Sequence, residues 1–198
     1  MKECLEKNIP VRRLELDDDE LLIIKPFNLL TLKPIIYMAN VSEDDLSNDG
    51  NSYVDMVREY AKGENAEVIV VCAQIESELS ELNDEDKNML LSELGVSDSG
   101  LDKLIRATYS LLGLKTYFTA GADEVRAWTF KDGMKAPECA GIIHTDFEKG
   151  FIKAEVMSYT DLVKYGNEKN VKENGKMRLE GKEYLMQDGD ICYFRFNV

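Results

Sequence analysis

The sequence predicts an α/β half followed by a small α+β module, and three observations carry that prediction. Two continuous apolar runs, residues 35–39 and 68–72, are bounded by turn residues and alternate with helical patterns. Such runs are the signature of strands buried on both faces of a parallel sheet. After Gly113 the pattern changes to short strands with one or two short helices over about 85 residues, as in a compact α+β module. Charge divides at the same place. Residues 113–198 carry 13 Lys/Arg against 14 Asp/Glu, so 13 of the 14 net negative charges lie in residues 1–112, an asymmetry expected of two units with different surroundings.

Taken in order, residues 1–9 read as the tail of a helix stopped by Pro10. Asp17, Asp18 and Asp19 favour a helix N-terminus for 17–24, and Pro26 stops it. Pro34 opens the first strand, 35–39. Tyr53, Met56, Val57 and Tyr60 recur at helical spacing across 52–62. The second strand follows at 68–72, then a capped helix at 83–93 ended by Gly95, then a helix at 101–112. The boundary between the units is placed at 111–114. Beyond it, 114–119 and 125–130 read as paired strands, 136–144 as a short helix, 150–158 as a strand and 159–165 as the start of a helix. Residues 176–185 read as a hairpin with Glu180-Gly181 near its turn, and 191–196 as a terminal strand.

Composition narrows the class. A chain of 198 residues suits one large domain or two small ones. With 44 % hydrophobic and 31 % charged residues it is globular rather than disordered. Its longest apolar runs fall far short of the ~20 residues of a membrane span, and its first residues lack the pattern of a secretory signal. Cys4, Cys72, Cys139 and Cys192 are scattered, without a C-x-x-C pair. That argues against a zinc site or disulfide framework and fits small buried hydrophobes in a reducing cytoplasm. The acidity of residues 1–112 argues against nonspecific polyanion binding there, but not against a specific pocket.

In open α/β sheets ligands sit at the carboxyl ends of strands, where this sequence places Asn40-Val41-Ser42-Glu43 and Cys72-Ala73-Gln74. Guanine-specific P-loop proteins carry Asn-Lys-x-Asp at the first of these, the Asp accepting from two guanine donors. Here Val41 replaces Lys and Glu43 replaces Asp, one methylene too long for that bidentate geometry. Adenine offers one acceptor and one donor, which a backbone N–H and C=O pair matches and a carboxylate does not. A plain turn also accounts for Asn and Glu after a strand, so the weight rests on two strand ends in the right order. His144 stands beside Asp146, but no nucleophile or metal-ligand partner is visible, and a structural role is the simpler reading. Lys164, Lys169, Lys172, Lys176, Arg178 and Lys182, with Tyr165 nearby, form either a solvated mixed-charge surface or an RNA-facing patch. Phe118, Trp128 and Phe130 read as core rather than a base-stacking platform.

Longer stretches carry a resemblance. Leu30-Thr31-Leu32-Lys33-Pro34, Tyr37-Met38-Ala39-Asn40-Val41-Ser42-Glu43 and Gly100-Leu101-Asp102-Lys103-Leu104-Ile105-Arg106 resemble the Obg-like ATPase (YchF) family. So do Thr116-Tyr117-Phe118-Thr119-Ala120-Gly121, Glu124-Val125-Arg126-Ala127-Trp128-Thr129, His144-Thr145-Asp146-Phe147-Glu148-Lys149-Gly150-Phe151, Gln187-Asp188-Gly189-Asp190 and Phe194-Arg195-Phe196-Asn197-Val198. The resemblance implies the end of a helical insertion over 1–33, the C-terminal half of an α/β P-loop (G-domain) ATPase over 34–112, and an α+β TGS domain of β-grasp (ubiquitin-like) fold over 113–198. It implies ATP preferred over GTP through Asn40, Val41 and Glu43, with Val41 meeting adenine by its main-chain N–H and C=O and with Cys72, Ala73 and Gln74 completing the base site. No G-x-x-x-x-G-K-[ST] occurs in the sequence, so nothing here cradles the β- and γ-phosphates or their Mg²⁺. ATP and Mg²⁺ are therefore expected in the complete protein and not on this chain, which should hydrolyse nothing alone. No catalytic or metal-ligating residue is assigned. The partner implied is the ribosome or its RNA, through the TGS domain and the basic residues above, with neither DNA nor membrane. Self-association of the incomplete sheet is a further expectation. The alternative is an RNA- or ribosome-binding TGS module with no nucleotide role.

Overall fold

The computed structural model describes residues 1–121 and 124–197; Val198 of the terminal motif lies outside the described residues. Contacts divide the chain into two compact units, Met1–Thr108 and Tyr109–Val198.

The first unit opens with α1 (Lys2–Glu6) and α2 (Asp18–Ile24). α2 starts in a capping box: Asp17 accepts from the Glu20 N–H at 2.8 Å, and Glu20 accepts from the Asp17 N–H at 3.1 Å. Then come β1 (Ile36–Asn40), α3 (Glu43–Leu46), α4 (Ser52–Lys62), β2 (Glu67–Val71), α5 (Ala73–Glu81), α6 (Asp84–Glu93) and α7 (Gly100–Leu111), the last of which continues past the division at Thr108. β1 and β2 pair in parallel, in register from Ile36↔Glu67 to Asn40↔Val71, as a β-helix-β crossover requires. Leu46, Val54, Val70, Cys72, Ile75, Leu79 and Leu91 pack together, and Ile69, Val71 and Ala107 form a second cluster.

Two expectations need correcting here. β2 is buried at Ile69, Val70 and Val71, but β1 is not buried on both faces: Met38 is 53 % exposed. Among the described residues β1 has β2 as its one partner strand, so a run apolar enough for a sheet interior sits at an edge. Helix α5 is not expected from the sequence at all. Its buried residues are Ile75 and Leu79, and one apolar pair four apart in a largely polar stretch is a weak periodic signal.

The second unit contains β3 (Leu114–Ala120), β4 (Val125–Lys131), α8 (Ala136–Ile143), α9 (Thr145–Lys149), β5 (Phe151–Ser158), α10 (Tyr159–Tyr165), α11 (Glu168–Glu173), β6 (Arg178–Glu180) and β7 (Asp190–Phe196). The sheet order is β4-β3-β7-β5-β6. β7 runs parallel to β3 and antiparallel to β5. Tyr117, Phe130, Cys139, Ala154, Val156, Met186 and Phe194 lie in the main core. The Tyr117 hydroxyl donates to the Cys139 carbonyl at 2.8 Å, which satisfies the one polar atom this ring takes inside. Met157, Val171 and Ile191 form a smaller cluster with half-buried Phe118. Phe130 is core as expected, while Trp128 is half-buried under the Arg126 guanidinium, 4.2 Å from its ring.

The hairpin expected over 176–185 is half right. β6 is a strand, but it pairs with β5, and the second arm is not a strand. Tyr184 instead accepts from the Ala136 N–H at 2.8 Å, and the Met186 N–H donates to Met134 at 3.0 Å. The same arm is braced at Asp190, 2 % exposed. Its carboxylate accepts from the Tyr184 hydroxyl at 2.8 Å, the Gln187 N–H at 2.9 Å and Arg178 at 3.1 Å. A buried carboxylate needs those donors, and through them the arm is tied to Arg178 of β6 by side chains, with no backbone ladder between them.

Candidate functional site

The parallel register sets Asn40 beside Val71, so the two strand ends singled out in the sequence emerge side by side. They are also fastened. The Ala73 N–H donates to Asn40 Oδ1 at 2.9 Å, and the Val41 N–H donates to the Val71 carbonyl at 2.8 Å. Asn40 Oδ1 thereby holds one of the free donors at the start of α5, and Cys72 supplies no side-chain cap of its own. On the other side Ser42 caps α3, its hydroxyl accepting from the Asp45 N–H at 3.3 Å. Glu43 is the first residue of that helix and is exposed, as are Ala73 and Gln74, while Cys72 is buried.

Five of the six residues expected at a base site thus meet at one end of the sheet. Glu43 follows on the adjoining helix. The bonding pattern limits what each can offer. The expectation that Val41 meets a base by both its N–H and its C=O needs correcting: the N–H is engaged by the Val71 carbonyl, which leaves the Val41 carbonyl alone as an acceptor. Asn40 has its oxygen fixed, which orients the amide nitrogen as a donor. An open, mostly apolar cleft of about 300 Å³ adjoins Ala73, lined also by Met38, Val71, Glu76, Gly100, Leu101 and Leu104. Glu76 and Gly100 carry no signal in a single sequence beyond a glycine at a helix start; their part emerges only from the fold.

The basic residues are less concentrated than their spacing suggests. All six are exposed. Lys169 and Lys172 share a shallow depression on α11 with Asn167 and Glu168. Lys164 stands 5.3 Å over the Tyr165 ring. Arg178, by contrast, is taken up by Asp190 and Tyr184, so it belongs to the internal brace described above. His144 caps α9, its Nδ1 accepting from the Asp146 N–H at 3.2 Å, the structural role expected of it. All four cysteines are buried. Burial pushes the Cys139 thiol up to about 12 and raises that of Cys192 as well, so both stay protonated and unreactive.

Residues 114–197 match the family model YchF-GTPase_C, described as a protein of unknown function (DUF933). The chain is 61 % identical to the "Ribosome-binding ATPase YchF" of Bacillus subtilis (strain 168) over 199 residues, covering 100 % of this chain and 54 % of that protein. It is 40 % identical to "Obg-like ATPase 1" of Caenorhabditis elegans, covering 100 % of this chain and 50 % of that one. The structure of the Schizosaccharomyces pombe YchF GTPase superposes with a TM-score of 0.83 at 38 % identity, over 96 % of this chain and 50 % of that one. The chain therefore spans about half the length of the curated relatives it matches. No helix among the described residues is long and apolar enough to cross a membrane.

Proposed function

The chain belongs to the Obg-like ATPase (YchF) family, and from that premise we propose that it supplies the base-reading edge of an ATP-preferring P-loop fold, joined to a ribosome-docking TGS module. The observation that carries the first part is the bond from the Ala73 N–H to Asn40 Oδ1, which ties the two expected base-contacting segments into one rigid rim. Adenine presents a ring acceptor beside an amine donor. The Asn40 amide nitrogen and the Val41 carbonyl offer the complementary donor and acceptor. Guanine presents two donors, which call for a bidentate carboxylate, and Glu43 is too long to provide it. The residues present thus suit a purine base. They include no phosphate cradle, so the triphosphate and its Mg²⁺ belong to sequence outside these 198 residues.

In full-length protein carrying the other half of the family's length, Glu43→Asp combined with Val41→Lys should move preference from ATP toward GTP. A well-made bidentate contact discriminates between bases by about 1–3 kcal/mol. Equilibrium binding of both nucleotides measures this, and an unchanged ratio would place base choice elsewhere.

The docking part rests on Lys169 and Lys172, exposed on a common depression with Lys164 over Tyr165 nearby. Cations beside an aromatic ring suit a phosphate backbone with unpaired bases. The B. subtilis relative is itself named a ribosome-binding ATPase.

A further inference from the structure

Glu76 is one turn into α5, the helix whose first residues are Ala73 and Gln74. Its carboxylate does not serve its own helix. It reaches 24 residues along the chain to the start of α7, accepting from the Gly100 N–H at 2.6 Å and the Leu101 N–H at 3.2 Å. α7 already has a local cap: Ser99 Oγ accepts from the Asp102 N–H at 3.1 Å. The Glu76 bonds therefore do more than finish a helix end; they fasten one helix to another. The approach is tight. A Cβ on Gly100 would lie 2.5 Å from Val71 Cγ1 and 3.0 Å from Glu76 Oε1, so only glycine lets α7 come this close. Val71 in turn is the register partner of Asn40, and Asn40 holds Ala73. Asn40, Ala73, Glu76, Gly100 and Val71 thus form a closed ring of contacts around the strand ends.

We propose that Glu76 is a positioning residue for base recognition: by clamping α7 it fixes the tilt of the first turn of α5, and with it the Ala73–Asn40 rim that faces the purine. This rests on the base-site reading above. Without the clamp, the first turn of α5 keeps the Asn40 bond and the packing of Ile75 but no polar tie to α7, so its tilt, and with it the orientation of the Asn40 amide, is held less tightly.

The test uses full-length protein and three probes: ATP, GTP and tripolyphosphate, which has no base. Glu76→Gln keeps the side chain's size but offers one neutral acceptor oxygen for two N–H donors. It should weaken ATP binding about tenfold, the loss expected of one charge-assisted hydrogen bond, and compress the ATP/GTP ratio. Tripolyphosphate should bind as to the unaltered protein. Glu81→Gln, the same charge change on the exposed end of α5, should leave all three affinities unchanged. Amide exchange at Ala73, Gly100 and Leu101 should quicken in Glu76→Gln while Tyr117 keeps its protection. Unaltered ATP binding in Glu76→Gln, or an equal loss for ATP and tripolyphosphate, overturns the positioning role. Asn40→Ala separates the two readings. If it too leaves the ATP/GTP ratio alone, the base site itself is misplaced and this proposal falls with it; if only Glu76→Gln is silent, this proposal alone falls.

Discussion

Glu64 lies just beyond α4 with its side chain 1 % exposed, and three side chains distant in sequence meet it there. Arg12 and Arg13 each approach at 3.1 Å, and the Tyr37 hydroxyl donates at 2.9 Å. Arg12 also donates to the carbonyls of Thr31 and Lys33 at 3.1 Å, so a single carboxylate pins the segment before β1 against the helix after it. Burial alone would raise this carboxyl, but the Tyr37 hydroxyl and both guanidiniums hold it below the usual range. A lowered folded value means that the stabilisation is fully present above the unfolded value, about 4.3, and is lost as pH falls through the folded one. Glu64→Ala should cost about 3 kcal/mol, at the lower end for breaking a buried pair because both guanidiniums stay partly exposed. Glu64→Gln should flatten the acid limb of the stability curve. Denaturant melts between pH 3 and 7 read both effects (range set by the carboxyl values above), and an acid limb unchanged by Glu64→Gln would show that other carboxylates dominate it. None of this was legible in the sequence, where Arg12, Arg13, Tyr37 and Glu64 are unremarkable charged or polar residues. The places of Asn40 at a strand end and Glu43 just beyond it were legible, because strand ends can be read before any fold is known.

Elements with a strong local signal were read well. The apolar runs that form β1 and β2, the helical spacing of α4, the capped start of α6 at Asn83, and the pairing of β3 with β4 all follow from residues close in sequence. Elements decided at a distance were not. The arm after β6 bonds to Met134 and Ala136 and is braced by Asp190, and no window around 182–186 contains that information. β7 was recognised as a strand, but its place in the sheet was not. Its buried apolar residues are Ile191, Cys192 and Phe194, whereas Tyr193 is 50 % exposed. It stands third of five strands, between β3 and β5. Removing residues 190–197 should therefore abolish the fold of the second unit rather than trim it. Each buried apolar side chain lost is worth ~1.5–3 kcal/mol, against a total stability of ~5–15 kcal/mol, and β3–β4 would be severed from β5–β6. A cooperative thermal transition surviving in the shortened protein would refute this.

At the scale of the molecule, the two units should differ in independence. Residues 113–198 hold a complete core of their own around Tyr117 and should fold alone and co-sediment with ribosomes in a salt-sensitive way, as phosphate contacts require. Residues 1–112 leave β1 with a single partner strand and expose Met38, Leu101, Ile23, Phe27 and Leu30 at 53, 58, 69, 62 and 79 %. An open strand edge beside apolar surface invites pairing with another copy. Expressed separately, 113–198 should give a dispersed monomeric amide spectrum and 1–112 should associate. A dispersed monomeric spectrum from 1–112, or a collapsed one from 113–198, would mean the division is wrong. The position of β7 also has a consequence in time. A ribosome delivers the strands of the second unit from β3 to β7, at about 5–20 residues per second, yet the last to appear is the one that belongs in the middle. β3–β4 and β5–β6 can each pair as they emerge, but they have no strand in common until residue 190 and its successors arrive. Nascent chains halted before that point would carry two orphaned strand pairs, and assembly must wait for a closure between partners far apart in sequence, the slow kind.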